Sequence, residues 1–160
     1  MIVVADTSPL NYLIQIDCDN LLPQLYHRIL VPFGVIQELH HPAAPFAVRA
    51  WLTSVPPWIE PSLPVSPPDA ALAALDLGER EAIQLAEEQC ADLLLIDERR
   101  GRHESIRRGL KTTGTLGVLL SAGELRMIDP AIAYRRLLAE TSFRSSPALQ
   151  AHFLNQVRSL

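Results

Sequence analysis

The chain has 160 residues, of which 14 are basic and 18 acidic, and 48% are apolar. That length and balance describe a single globular domain. They exclude a disordered chain and a protein that coats nucleic acid by bulk positive charge. No apolar run approaches the ~20 residues of a membrane span. Cys18 and Cys90 lie far apart with no metal-binding or paired spacing. The opening MIVVADTSPL has no basic region before Asp6. Together these features read as a cytoplasmic protein without a disulfide framework, a zinc site or a secretory leader.

In chain order, Ile2–Ala5 is a short, β-branched apolar run and predicts a buried strand that stops at Asp6. Ser8 followed by Pro9 predicts a helix start with serine as cap, and the helix continues through NYLIQI. Leu21–Tyr26 predicts a second short helix and Arg28–Val31 a second strand. Pro32 ends that strand and opens the helix FGVIQELHH, and Phe46–Ser54 starts another. From Pro56 to Pro68 there are six prolines, which confine the segment to the surface, with Trp58–Glu60 as an edge strand. A helix near Asp69–Leu75 comes next, then a stronger one opened by Asp76 and running from Glu79 to Gln89. Leu93–Ile96 is the clearest strand and again stops at an aspartate, Asp97. A basic helix from Glu98 to Arg108, a short strand at Lys111–Thr113 and the helix LGVLLSAGEL follow. Pro130 and Pro147 open the last two helices. Strands alternating with helices, joined by connections too long for hairpins, predict an α/β fold with a parallel sheet covered by helices.

Ligands of open parallel sheets bind at the carboxyl ends of the strands, where Asp6 and Asp97 should both lie. Either aspartate alone also reads as a helix cap, but finding the pattern twice favours a site. Glu38 sits on the helix after Pro32. Glu79 and Glu81 are ~200° apart around their helix, so they cannot share a face. Glu79 shares its face with Ala82, Ile83, Ala86 and Cys90, the face expected against the sheet. That makes Glu79 the better geometric choice, with Glu81 left open by the uncertain helix start. Clustered carboxylates repel one another and need a cation, and an all-oxygen donor set selects a hard ion such as Mg²⁺ or Mn²⁺. Such an ion activates water and stabilises charge on a phosphoryl oxygen, which points to a phosphodiester or phosphoanhydride substrate. Between positions 99 and 111, Arg99, Arg100, Arg102, Arg107, Arg108 and Lys111 face only one acid, Glu104. The stretch reads as a phosphate-steering patch or as a solvated helix face.

Taken together, VVADTSPL, VIQEL, LGEREAIQLAEE, LLLIDERRGR and KTTGTLGVLL resemble the PIN-domain (PilT N-terminus) superfamily. The closest likeness is to its prokaryotic branch near the VapC-type toxins, in a subgroup with G-E-x-E-A, L-L-I-D-E-x-x-G-R and G-T-L-G-V-L-L. The resemblance implies a three-layer α/β/α sandwich and an acidic quartet that binds one or two Mg²⁺ or Mn²⁺ ions. It implies an endoribonuclease acting on single-stranded RNA. By position it assigns the metal-binding acids to Asp6, Glu38, Glu79 or Glu81, and Asp97. Ser8 and Thr7 match the small polar residues after the first acid and would orient water or phosphate. Arg99, Arg102, Arg107, Arg108 and Lys111 would contact the RNA backbone. A toxin would also bring a small antitoxin partner and homodimerisation, for which the apolar final helix (Leu149, Phe153, Leu154, Val157) is either interface or core. Two departures stand out: the third acid is glutamate, and Asp97-Glu98-Arg99-Arg100 replaces the usual aspartate-rich stretch. A catalytically inactive PIN fold that docks RNA or protein is the alternative. A haloacid-dehalogenase phosphatase is disfavoured because it requires an aspartate where Ser8 stands.

Overall fold

A computed structural model describes residues Met1–Leu160. Five short strands, β1 (Val3–Ala5), β2 (Ile29–Pro32), β3 (Ile59–Ser62), β4 (Leu93–Leu95) and β5 (Thr112–Thr113), form one sheet in the order β3-β2-β1-β4-β5. Every pairing is parallel. Val3 lies beside both Ile29 and Leu93, and Ala5 beside Leu95. Nine α-helices accompany the sheet: α1 (Thr7–Gln15), α2 (Leu21–Tyr26), α3 (Phe33–Leu39), α4 (Phe46–Trp51), α5 (Leu77–Glu88), α6 (Arg99–Arg107), α7 (Thr115–Glu124), α8 (Pro130–Glu140) and α9 (Pro147–Arg158).

The central strands are apolar throughout because both faces of the sheet are covered. Side chains alternate between faces along a strand. Val3, Ala5, Ile29, Val31 and Leu95 accordingly enter the larger core with Leu10 and Leu13 of α1, Val118 of α7 and Leu137 of α8. Val4, Leu94 and Ile96 enter a smaller core against Ala82, Ile83 and Ala86 of α5. The result is the expected three-layer α/β/α sandwich. The face of α5 assigned from sequence is buried, and Glu79 is buried with it. The final helix packs inward. Phe153 is buried against Tyr134, with ring centroids 5.1 Å apart, and Leu149, Leu154 and Val157 rest on the same core. No helix is long and apolar enough to cross a membrane.

Three local expectations are corrected. Helix α1 begins at Thr7, with Asp6 and not Ser8 at the cap position. The Asp6 N–H still bonds the Leu95 carbonyl at 2.9 Å, so the sheet dictates where the helix starts. Pro9 is tolerated anywhere in a first turn, whose N–H groups have no partner inside the helix. The helix expected near Asp69–Leu75 is only a 3-10 turn, Ala70–Leu72, capped by Asp69. Between Pro67-Pro68 and the Asp76 cap of α5, the chain has room for one turn. The proline-rich segment supplies β3 at the sheet edge as expected, but over Ile59–Ser62.

That segment is then strapped to α5. Gln84 Nε2 donates to the Ser66 and Pro67 carbonyls at 2.9 and 2.7 Å, and Glu88 accepts from the Val65 and Ser66 amides. Arg108 completes the strap by reaching Asp69, Glu87 and Glu104 at 2.7–3.0 Å, with its side chain 12% exposed. Arg107 is paired to Glu104. Both arginines, expected to meet an RNA backbone, are therefore engaged within the chain. They also lie at the far end of α6 from Asp97, on the order of 12 Å along the axis. Lys111 precedes β5 and so stands toward the opposite edge of the sheet from the carboxyl ends. Losing a half-buried ionic hub costs more than losing a surface pair. Arg108→Ala should lower stability by about 1–2 kcal/mol in denaturant unfolding. It should also make the segment near Ser66 more open to proteolysis.

Candidate active site

The strand order reverses between β1 and β4: the chain first winds outward to β2 and β3, then returns to β4 and β5 on the other side. Parallel sheets form a crevice at such a point, outside the carboxyl ends of the strands. Asp6 ends β1 and Asp97 follows β4 by two residues, so both stand at that crevice. The N-termini of α1, α3, α5 and α7 gather along the same edge.

Glu38, near the end of α3, crosses to the start of α5. Its Oε1 accepts from the Gly78 N–H at 2.8 Å, and its Oε2 accepts from the Thr7 hydroxyl. Asp76 caps α5, accepting from the Glu79 N–H at 2.9 Å. One oxygen each from Asp6, Glu38 and Asp76 lies within 4.8 Å of the other two. Asp6 is 2% exposed, and its Oδ1 has no hydrogen-bond partner. Burial raises its pKa well above the usual carboxylate range. The charges of Asp76, Glu79 and Glu38 add to that, and the Thr7 amide only partly opposes it. Glu79, 5% exposed, is pushed up to about 7, first by burial and then by Asp76 and Glu98.

Glu79 and Glu81 differ in what each carboxylate touches. Glu79 faces inward, where its carboxyl lies against the bare Cα of Gly101 in α6. Glu81 turns to α3 and accepts from the Gly34 N–H at 2.7 Å, so it serves the start of that helix. Helices α3 and α5 thus exchange carboxylates, each received at a glycine in the second helical position. A Cβ on Gly78 would sit 2.5 Å from Glu38 Oε2, and one on Gly34 would sit 2.8 Å from Glu81 Oε2. Only glycine admits such an approach.

Asp97 holds the start of α7, with Oδ1 accepting from the Thr115 N–H at 2.7 Å and Oδ2 from its hydroxyl at 2.6 Å. Burial nonetheless raises its pKa, against these bonds and the charge of Arg102. Asp97 and Glu79 stand beside the three-acid group and not within it. The acid that sequence reasoning missed is Asp76. Its capping of α5 is by itself a sufficient reason for an aspartate at that position. Thr7, expected to touch substrate, donates its hydroxyl to Glu38. Ser8 and Arg102 line a cleft next to Asp97, and Arg99 is exposed at the start of α6.

A family model described as a PIN domain matches residues 2–159. The chain belongs to the PIN-domain family. PIN domains are in general metal-dependent nucleases, and the topology and acidic crevice of this chain agree with that membership. No curated protein is significantly similar to it.

The residues at the crevice fit a hard divalent cation. The donors are all carboxylate oxygens, and one buried oxygen, Asp6 Oδ1, lacks any partner. None of the ion pairs in the structure includes Asp6, Glu38, Asp76 or Glu79. A consequence follows for pH. Glu79 titrates near 7 in the metal-free fold, against an ordinary value of 4.5. The folded chain then binds more protons than the unfolded one between those values, so stability falls as pH rises through that window. The loss should be on the order of 2 kcal/mol, or about 4–8 °C in Tm, between pH 5 and 7.5 in EDTA. A divalent cation held here would bind the deprotonated acids, so added Mn²⁺ should restore the melting point at pH 7.5 while changing it little at pH 5. A metal-free Tm that does not fall over this range would contradict the electrostatic reading.

Proposed function

We propose that this PIN domain is an endoribonuclease acting on single-stranded RNA with Mg²⁺ or Mn²⁺. The observation that carries the reading is the convergence of Asp6, Glu38 and Asp76 at the sheet's switch point, with a buried oxygen of Asp6 left without a partner. These three residues would hold the cation, with Glu79 and Asp97 beside them. When bound, the ion supplies water activation and charge stabilisation at phosphorus.

The protein's own part is positioning. The Thr7 hydroxyl and the Gly78 amide fix both oxygens of Glu38. The Glu79 amide fixes Asp76. Thr115 fixes Asp97, which keeps the start of α7 at the crevice. The aligned dipoles of the helix N-termini favour negative charge at this edge, whether from a carboxylate or from a phosphodiester. Arg102 and Ser8 lie in the adjoining cleft, where an RNA phosphate oxygen could be received.

The likeness to VapC-type toxins supports a further proposal: a small antitoxin would silence the nuclease by filling the acidic crevice, and the protein would act as a cytoplasmic homodimer. The final helix is not needed for that interface, because its apolar residues are already packed in the core.

Cleavage of a mixed single-stranded RNA pool with Mg²⁺ or Mn²⁺ tests the reading, with EDTA as control. Asp6→Asn should reduce cleavage ~100-fold or more without unfolding the chain, since it removes a ligand charge and keeps the shape. Asp76→Asn is the more diagnostic variant. Asparagine caps a helix as well as aspartate does, so α5 should persist while cleavage falls by ~10–100-fold. Equal activity in wild type and Asp6→Asn would sink the assignment. Absence of both cleavage and Mn²⁺ binding in the wild type would favour a docking module.

A further inference from the structure

A cleft of about 280 Å³ opens beside the acids, between α1, α6, α7 and α9. It shares Ser8 and Asp97 with the catalytic edge. We propose that this cleft is a nucleotide pocket that seats one unpaired base of the strand, next to the phosphodiester presented to the acids. The proposal deepens the nuclease reading and rests on it for its natural ligand.

The lining changes character from floor to mouth. The floor is Leu116, Leu120 and Phe153, and one wall is Tyr12, packed edge-on against Phe143 at 5.3 Å and 85°. Flat apolar and aromatic surface of this kind accepts the face of any base, because every base has a π-face. The mouth is polar: Arg102 comes from α6, Arg144 from the chain before α9, and His152 and Gln156 from successive turns of α9. Gln156 offers both a donor and an acceptor, the combination a base edge requires. Arg102 Nε is buried and has no hydrogen-bond partner, although buried donors are almost always satisfied. Arg144 donates one N–H to the Phe143 carbonyl at 2.7 Å, which anchors its guanidinium at the mouth. Two guanidinium groups beside an aromatic slot suit a phosphate attached to a stacked base. An apolar peptide would leave them unused. The slot admits a base only when that base is out of a duplex, so the ligand is single-stranded.

The pocket lies at a fixed place relative to Asp97. Base preference should therefore appear at one fixed position relative to the cut. Cleavage sites in a randomised single-stranded RNA pool should show this preference for the wild-type protein. The enrichment should fall at least about fivefold in His152→Ala or Gln156→Ala, because a lost base-edge contact is worth that much in discrimination. Asn155→Ala, on α9 but outside the cleft, should leave the enrichment unchanged. An unbiased wild type, or a bias untouched by both cleft variants, would overturn the proposal.

A second measurement does not depend on activity. The wild-type protein in EDTA is titrated with each of the four nucleoside 5′-monophosphates and followed by NMR. One base should shift resonances of Thr113, Gly117, His152 and Gln156 more than the others. No shift at these residues with any of the four, up to on the order of 10 mM, would overturn the pocket. Base-selective shifts without any RNA cleavage would support the pocket and discard the nuclease reading.

Discussion

The acids Asp6, Glu38, Asp76 and Glu79 stand close together without an ion pair to any basic side chain. The available compensation comes from backbone amides at helix N-termini. Gly78 serves Glu38, Glu79 serves Asp76, Thr115 serves Asp97 and Gly34 serves Glu81. Each amide is one of the donors that a helix leaves unpaired at its start. Three helices, α3, α5 and α7, must therefore begin at the same sheet edge for the acids to be tolerated. A parallel sheet with antiparallel helices arranges that by topology alone. The compensation is incomplete, as the raised pKa values of Asp6 and Glu79 record, and a divalent ion would make up the shortfall.

The mutual capping of α3 and α5 gives this arrangement its rigidity. Glu38 and Glu81 run in opposite directions between the same two helices, and Thr7 ties the pair to the start of α1. Glycine stands where Glu81, Glu38 and Asp97 reach the start of another element's helix: Gly34, Gly78 and Gly114 each leave a gap that a methyl group would close. Gly101 does the same for the approach of α6 to Ile96 and Glu79. The G-E-x-E-A, D-E-x-x-G-R and G-T-L-G signatures are therefore instructions for close approach as much as lists of functional side chains.

Much of this was legible in the chain itself. Apolar runs stopping at Asp6 and Asp97 located the carboxyl edge, and the helical face of Glu79 placed it inward before any coordinates. What stayed hidden depended on contacts between elements. Asp76 already had a sufficient local explanation as a cap. Glu81 had no visible partner until α3 lay beside α5. The basic run between Arg99 and Lys111 looked uniform, but long-range partners divide it. Arg102 turns to the crevice, while Arg108 is taken by Asp69, thirty-nine residues earlier. Charge counts along a sequence do not reveal which charges are already engaged.

The position of β1 in the middle of the sheet has a consequence for synthesis. β1 precedes β2 and β3 in the chain, yet one of its two neighbours, β4, is made some ninety residues later. Asp76 and the amides that steady Glu38 and Asp76 lie at the start of α5, with Gly78 forty residues after Glu38. A nascent chain that has formed only β1, β2 and β3 carries Asp6 and Glu38 without the rest of the crevice. The acidic crevice is therefore complete only once α5 and β4 have joined the sheet, and until then the acids of a folding chain stand apart.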